Sequence, residues 1–154
     1  MTGPFTPEIT AEVDAAVLCW MATVDDAGRP NVSPKEMFRV HDDARLLIAE
    51  IASPRSLRNV RQQSQVCVSV LDIFRQRGHK IEGTCRIISP EDTDFSELAV
   101  PLQAMAGSFE VRHLFEVTAS RVTPILAPSY VKHPERTEEY FLQNAYDLYG
   151  VRPK

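Results

Sequence analysis

Residues 17–51 read VLCWMATVDDAGRPNVSPKEMFRVHDDARLLIAEI, and this stretch decides the fold of the chain. Extended runs at 17–24, 31–40 and 45–51 are separated by the polar turn sequences DDAG and HDDA. Runs of this length predict strands, and tight turns between strands predict antiparallel neighbours. We therefore expect three consecutive strands in an antiparallel meander.

Three further strands are predicted downstream of this stretch. Valines occupy every second position of 66–70 within residues 65–72, which is the period of two typical of a strand. Residues 79–88 and 113–124 are also rich in apolar and β-branched side chains between polar bends. Both faces of the strand at 65–72 are apolar enough to be at least partly buried.

Four helices are predicted around the strands. Thr6, Ser53 and Ser89 each stand directly before a proline, which is a combination typical of a helix start. Pro101 is expected to end or kink the third helix near Val100. The fourth helix is expected at 134–149, with Phe141, Ala145 and Leu148 at helical spacing.

The order of the elements predicts the fold class. A helix is followed by three strands, a helix, two strands, a helix, a strand and a helix, with too few crossovers for a parallel sheet. This order favours a mainly β (α+β) fold, a small antiparallel barrel with helices packed outside it. The 154 residues, 44% of them apolar, predict a single domain over residues 1–154 with a real hydrophobic core.

Composition argues against several classes of function. The net charge of −4 disfavours a broad polyanion-binding surface, so no nucleic-acid partner is expected. The longest apolar stretch has about ten residues, roughly half of what a membrane span needs. With no signal-peptide pattern, we expect a cytoplasmic location and no membrane partner. The three cysteines are far apart, so buried reduced thiols are expected.

The motif search leaves the catalytic residues unassigned. The six glycines cannot form a GxGxxG fingerprint, which disfavours a Rossmann fold. The four histidines form neither HExxH nor a Cys/His cluster, and no serine lies in GxSxG. No metal site and no catalytic triad are therefore predicted, and the histidines at strand starts are expected to be solvated.

The clearest ligand signal lies at the start of the second predicted helix. A helix N-terminus has unpaired amides and a partial positive charge, so added guanidiniums and hydroxyls make a compact phosphate pocket. One alternative is a capped surface helix with solvated arginines, and another is a nucleic-acid contact through Arg55, Arg58 and Arg61. The residues that form the pocket signal are Ser53, Arg55, Ser56 and Arg58.

Four segments in order carry a family resemblance. They are PNVSPK, LLIAEIASPRSLRNV, QVCVSVLD and GHKIEGTCRII, at residues 30–35, 46–60, 65–72 and 78–88. This succession resembles the FMN-binding split-barrel family related to pyridoxamine 5′-phosphate oxidase, over about residues 8–130. The resemblance implies a small antiparallel split β-barrel with flanking helices, FMN as the cofactor, and a homodimer with FMN at the subunit interface.

The resemblance also implies a cofactor site. In the family, the strand matching 33–35 passes along the isoalloxazine ring and largely presents backbone groups to its polar edge, while the strand matching 48–52 flanks the ring and the ribityl chain. A basic residue followed by a hydroxyl residue grips the phosphate. The implied cofactor-binding residues are Ser33, Pro34, Lys35, Ile48, Ala49, Glu50, Ser53, Arg55, Ser56, Arg58, Asn59, Lys80 and Gly83.

Individual positions within this set have distinct implied roles. Arg55 and Ser56 match the phosphate-gripping pair, and Asn59 matches a supporting asparagine. Lys80 and Gly83 match a strand that approaches the flavin, often from the partner subunit. Reduction adds negative charge near N1 and O2 of a flavin, so a nearby cation such as Lys35 would raise its redox potential.

The implied activity is an oxidoreductase. It would take hydride from NADH or NADPH and pass electrons to an unidentified small-molecule acceptor. Vitamin B6 oxidation is not implied, because the family's oxidases end in a segment with Trp and Arg and the only tryptophan here is Trp20. The alternative is a non-catalytic binding or storage module for FMN or another flat cofactor, haem or a deazaflavin. Haem would need an axial ligand, for which His79 and His113 are the candidates.

Overall fold

The computed structural model describes residues 3–153, which form seven strands and five helices. The strands are β1 (Cys19–Val24), β2 (Pro30–Lys35), β3 (Phe38–Val40), β4 (Arg45–Glu50), β5 (Gln65–Asp72), β6 (Arg77–Ile88) and β7 (His113–Leu126). The helices are α1 (Pro7–Ala15), α2 (Pro54–Gln62), α3 (Phe95–Ala106), α4 (Pro128–Lys132) and α5 (Glu138–Tyr149). None of these helices has the length and apolarity needed to cross a membrane.

All seven strands belong to one antiparallel sheet, in the order β2-β1-β5-β6-β7-β4-β3. β2 and β3 lie at opposite edges of this sheet although only Glu36 and Met37 separate them in the chain. The sheet therefore curls until its two edges meet, as in a barrel left open along one seam. This confirms the predicted mainly β (α+β) fold, a small antiparallel split β-barrel with flanking helices.

The prediction of a single strand at 31–40 within a three-strand meander is wrong. Pro34 pairs with Trp20 of β1, whereas Phe38 pairs with Ile48 of β4. The chain bends at 36–37 because its two halves bond to opposite edges of the curled sheet. Pro34, which has no N–H, is tolerated because β2 is an edge strand.

Apolar side chains pack on both faces of the sheet. The barrel interior holds fully buried side chains that include Val13, Met21, Val68 and Phe115. A second cluster lies between the sheet and α3, with Leu102 at its centre. Alternate residues of a strand point to opposite faces, so β4 supplies both clusters: Ile48 to the interior and Leu47 to the α3 side.

Two helix boundaries differ from the sequence-based expectations. The third helix begins at Phe95 instead of near Ser89, because the Asp92 carboxylate accepts the Ser89 amide at 2.7 Å and holds a turn there. The helix also continues past Pro101 to Ala106. Proline removes one helical hydrogen bond, and burial of Leu102 and Ala106 keeps the following turn on the sheet.

The C-terminal region confirms part of the prediction. The helix expected at 134–149 is α5, which begins four residues later, at Glu138, and α4 precedes it as a short helix that was not predicted. Phe141 and Ala145 are buried as predicted, and α5 ends at Gly150, whose φ of 66° suits glycine. Leu148 is 69% exposed, so its assignment to the buried stripe is wrong.

The three cysteines are free thiols that differ in accessibility. Burial raises the pKa of Cys19 and of Cys85 to about 12, whereas Cys67 is only half-buried. Because the thiolate is the reactive form, iodoacetamide at pH 8 is expected to label Cys67 first and the other two only after unfolding. Peptide mass spectrometry of the alkylated native protein checks this, and equal labelling of all three would contradict the burial described.

Candidate functional site

A cleft opens where the two edges of the curled sheet meet. Its volume is about 330 Å³, at the lower end of the range found for small-molecule sites. It is lined by residues 33–37, Ala49 and 51–53, so it lies between the end of β2 and the β4–α2 turn. The split in the barrel is thus also the opening of the candidate site.

The cleft brings together part of the predicted site. Ser33, Pro34, Lys35, Ala49 and Ser53 all line it. The sequence reasoning missed four other lining residues, which lie in the bend after β2 and the turn after β4. Three of them adjoin a predicted residue in sequence, and the fourth lies two residues after Lys35, which was the available signal. The two in the turn also belong to the stretch 48–52 that resembles the strand flanking the ring in the family. The four are Glu36, Met37, Ile51 and Ala52.

Lys35 brings a cation to the wall of this cleft. Its residue is only 8% exposed, and its Nζ donates to Ser53 Oγ at 2.6 Å. The same Nζ lies 5.5 Å from the centroid of the Phe115 ring. Burial lowers the pKa of Lys35, and the nearby Glu50 carboxylate acts in the opposite direction.

Glu50 lies behind the cleft and does not line it. It is 3% exposed, and its Oε1 accepts the Ser53 amide at 2.6 Å and the Ser53 hydroxyl at 3.3 Å. Its Oε2 lies 3.4 Å from Nδ1 of His113. Glu50 therefore fixes the turn that leads from β4 into α2.

The start of α2 carries no side-chain cap. Ser53 is its N-cap residue, but the predicted capping bond is absent because Lys35 and Glu50 engage the hydroxyl. Pro54, the first helical residue, has no N–H to satisfy. The amides of Arg55 and Ser56 are therefore available to an anion at the helix end.

The exposed face of α2 is positively charged. Arg55, Arg58 and Arg61 are exposed, and no carboxylate in residues 3–153 forms an ion pair with them. The helix sequence PRSLRNVRQ contains no Asp or Glu. Within this part of the molecule the arginine charges are uncompensated, as an anion site requires.

Ser56 and Asn59 lie on the opposite, buried face of α2 and attach it to the sheet. Ser56 Oγ accepts from Asn31 Nδ2 at 3.2 Å and lies 2.9 Å from Ser33 Oγ. Asn59 Nδ2 donates to Thr23 Oγ1 at 3.1 Å. These bonds place the start of α2 beside β2, and Ser33 connects them to the cleft.

Three further predicted residues lie away from both the cleft and α2. Ile48 points into the barrel interior, on the opposite face of β4 from Ala49. Lys80 lies on β6, with its Nζ 3.3 Å from Glu82. Gly83 is buried against β7, where a side chain would meet the backbone of Thr118.

Neither histidine considered as an axial ligand lines the cleft. His79 is buried, with Nε2 2.6 Å from the Glu12 carboxylate, so the expectation that it is solvated is wrong. Its Nδ1 has no hydrogen-bond partner among the described residues. His113 contacts Glu50 from β7.

Comparison with known proteins extends this description. A family model described as pyridoxamine 5′-phosphate oxidase matches residues 5–126. The crystal structure of HupZ from Group A Streptococcus has a TM-score of 0.69 at 22% identity, over 80% of this chain and 95% of that one. No curated protein matches the chain.

Two further structures share the fold. An FMN-binding protein from Syntrophomonas wolfei has a TM-score of 0.67 at 13% identity, over 77% of this chain and 84% of that one. HutZ, the haem storage protein from Vibrio cholerae, has a TM-score of 0.63 at 17% identity, over 78% and 92%. At these identities the likeness is one of fold.

Proposed function

Because the chain belongs to the pyridoxamine 5′-phosphate oxidase family, we propose that it binds FMN in the cleft between β2 and the β4–α2 turn and works as an oxidoreductase. The observation that carries the proposal is the uncapped, acid-free start of α2 beside a cleft of about 330 Å³. A phosphate at this helix end would accept the amides of Arg55 and Ser56 and the Arg55 guanidinium.

The donor set of the cleft also fits an isoalloxazine ring. β2 bonds only to β1, so one side of this edge strand offers unpaired backbone N–H and C=O groups. Lys35 supplies the single buried cation among the lining residues of the described chain. Backbone groups would orient the polar edge of the ring, and the ammonium would stabilise negative charge on it.

FMN, when bound, would supply the redox chemistry, with NADH or NADPH as hydride donor and an unidentified small molecule as acceptor. The chain's own residues would bind, orient and tune the cofactor. No general base is required for this role, so the catalytic residues stay unassigned. A cytoplasmic location remains part of the proposal, to be tested by cell fractionation.

Absorption and mass spectrometry of the purified protein test the cofactor. A band at roughly 450 nm is expected for flavin, against roughly 400 nm for haem. The small molecule released on denaturation should have the mass of FMN, and anaerobic NADH or NADPH should bleach the band. Release of haem and no flavin would contradict the proposal.

Storage of a flat cofactor without turnover is the second candidate function. It is supported by the shared fold with HutZ. Haem would need an axial ligand, and neither His79 nor His113 lines the cleft. Bound flavin that no reduced nicotinamide bleaches would favour storage over oxidoreduction.

The proposal includes a homodimer with FMN at the subunit interface. Trp20 and Val32 are 47% and 56% exposed on neighbouring strands, and Leu71 of the adjacent β5 is also exposed. An exposed apolar sheet face of this kind needs cover, and a second copy would supply it. Lys80 lies on β6, the next strand of this sheet. In the dimer, Lys80 would therefore contact the cofactor that is bound in the cleft of the partner subunit.

Val32→Asp tests the dimer, because it places a charge on this face without disturbing the core. We expect a monomer that has lost most of its FMN, measured by sedimentation velocity with detection at the flavin band. Val100→Asp, at an exposed valine on α3, is the matched control and should stay dimeric. A wild-type monomer with full flavin content would contradict this part of the proposal.

A further inference from the structure

We propose that Glu50 is a positioning residue that keeps the start of α2 open to an anion and, through Ser53, holds Lys35 at the cleft wall. The inference rests on the proposed function only in taking the phosphate of FMN as that anion. Glu50 itself lies behind the cleft, so it acts through Ser53 and Lys35.

Glu50 closes the turn that forms one wall of the cleft. Its Oε1 accepts the amide of Ser53, three residues on, at 2.6 Å. Ile51 and Ala52, between these two residues, line the cleft together with Ser53. The shape of this wall therefore depends on the Glu50 side chain, although Glu50 does not line the cleft.

Ser53 stands at the N-cap position of α2, but its side chain does not cap the helix. An N-cap serine ordinarily accepts an amide of the first helical turn from an extended backbone. Here the backbone has φ −123° and ψ 61°, and the hydroxyl accepts from Lys35 and donates to Glu50. While the hydroxyl is held in this way, it cannot compete with an anion for the amides of α2.

Glu50 is also the counter-charge for Lys35. Burial favours the neutral amine, and the groups that oppose burial are Glu50 from β4 and Cys19 from β1. The pKa of Cys19 is raised to about 12 by burial, so this thiol is neutral at physiological pH. The adjacent Glu36 is exposed to solvent, and His113 faces Glu50 from β7. Glu50 is therefore the charged group that opposes the effect of burial on the pKa of Lys35.

Charge alone predicts the opposite effect on anion binding. Removing a carboxylate near an anion site should tighten binding, because a repulsion is lost. Removing Glu50 in its positioning role should weaken binding, because Ser53 is freed to cap α2 and Lys35 loses its counter-charge. The sign of the change separates the two explanations.

Glu50→Ala is the decisive variant, because it removes the acceptor of the Ser53 amide and hydroxyl together with the charge. Glu139→Ala, at an exposed carboxylate on α5 that does not line the cleft, is the control. FMN binding, measured by flavin fluorescence quenching, is expected to weaken about tenfold in Glu50→Ala and to keep the wild-type value in Glu139→Ala. Equal or tighter binding by Glu50→Ala would overturn the inference.

Titration of Lys35 in cofactor-free protein gives a readout that does not depend on FMN. Side-chain ¹³C NMR should show that Glu50→Gln lowers the pKa of Lys35 further below its ordinary value, because the opposing charge is gone. If Glu50→Gln fails to fold, Ser53→Ala replaces it in this experiment. Ser53→Ala removes the hydroxyl that connects Lys35 with Glu50 but keeps the Ser53 backbone amide, and it should also lower the pKa of Lys35. An unchanged pKa would overturn the inference. If the wild-type protein binds no FMN, the proposed function is contradicted. The titration of Lys35 still tests the positioning role of Glu50 in that case, because it is carried out without FMN.

Discussion

Replacing Arg55 with alanine is expected to weaken FMN binding by about 1.5 to 3 kcal/mol, which is about ten- to a hundredfold in affinity. Arg55 is exposed at the first turn of α2 and forms no ion pair within residues 3–153. Its removal therefore breaks no ion pair within the described residues. The loss should appear in cofactor affinity and leave the free energy of unfolding nearly unchanged.

Arg61→Ala is the control for the Arg55 experiment. Arg61 is also exposed, but it lies in the last turn of α2, away from the amides at the helix start. Titration of cofactor-free protein with FMN should give wild-type affinity for Arg61→Ala. If Arg55→Ala retains FMN as well as the wild type on dialysis, the phosphate has been placed at the wrong end of the cleft.

Gly83→Ala is expected to lower the free energy of unfolding by about 3 kcal/mol. A Cβ at this position would lie 2.1 Å from the Thr118 carbonyl oxygen and 2.9 Å from its carbon, both backbone atoms. The register between β6 and β7 shifts here, between Glu82 and Gly83. The longest strand pair of the barrel would have to separate locally to admit one methyl group.

Urea unfolding of Gly83→Ala, with Thr84→Ala as control, measures this effect. Thr84 is the next residue of β6 and is exposed, so its truncation should change stability by less than about 0.5 kcal/mol. A Gly83→Ala protein that keeps wild-type stability but loses FMN would contradict the packing explanation. It would instead support the role implied by the family resemblance, in which Gly83 lets the strand approach the cofactor.

Local patterns were enough to predict much of the barrel. The valine alternation at 65–72 gave β5 with its observed bounds, and the Thr6 hydroxyl caps α1 by accepting the Ile9 amide at 3.3 Å, as the Thr-Pro pair indicated. These features depend on neighbours within a few residues. Sequence therefore contains the information that determines them.

The closure of the barrel could not be read in the same way. No glycine and no turn motif marks the bend at 36–37, because the bend is imposed by β2 and β3 pairing with opposite edges of the sheet. Ser53 shows the same limit within the site. Its Ser-Pro pair is typical of a cap, but the tertiary partners Lys35 and Glu50 take the hydroxyl. A local rule fails where residues distant in sequence compete for the same group.

The sequence also could not predict which side chains of β4 point to the cleft and which point into the barrel. Ile48 and Ala49 were both assigned to the site, yet only Ala49 lines the cleft while Ile48 fills the barrel. A strand buried on both sides gives no alternation of apolar and polar residues by which to choose its faces. Only the packing of α3 on one side and the barrel interior on the other decides it.

A crystal structure of the protein grown with FMN tests the central claim most directly. We predict that the phosphate accepts the amides of Arg55 and Ser56 at the start of α2, with the ring lying along residues 33–35. A structure with FMN bound and its phosphate elsewhere, or with the start of α2 closed by the protein's own side chains, would contradict the account.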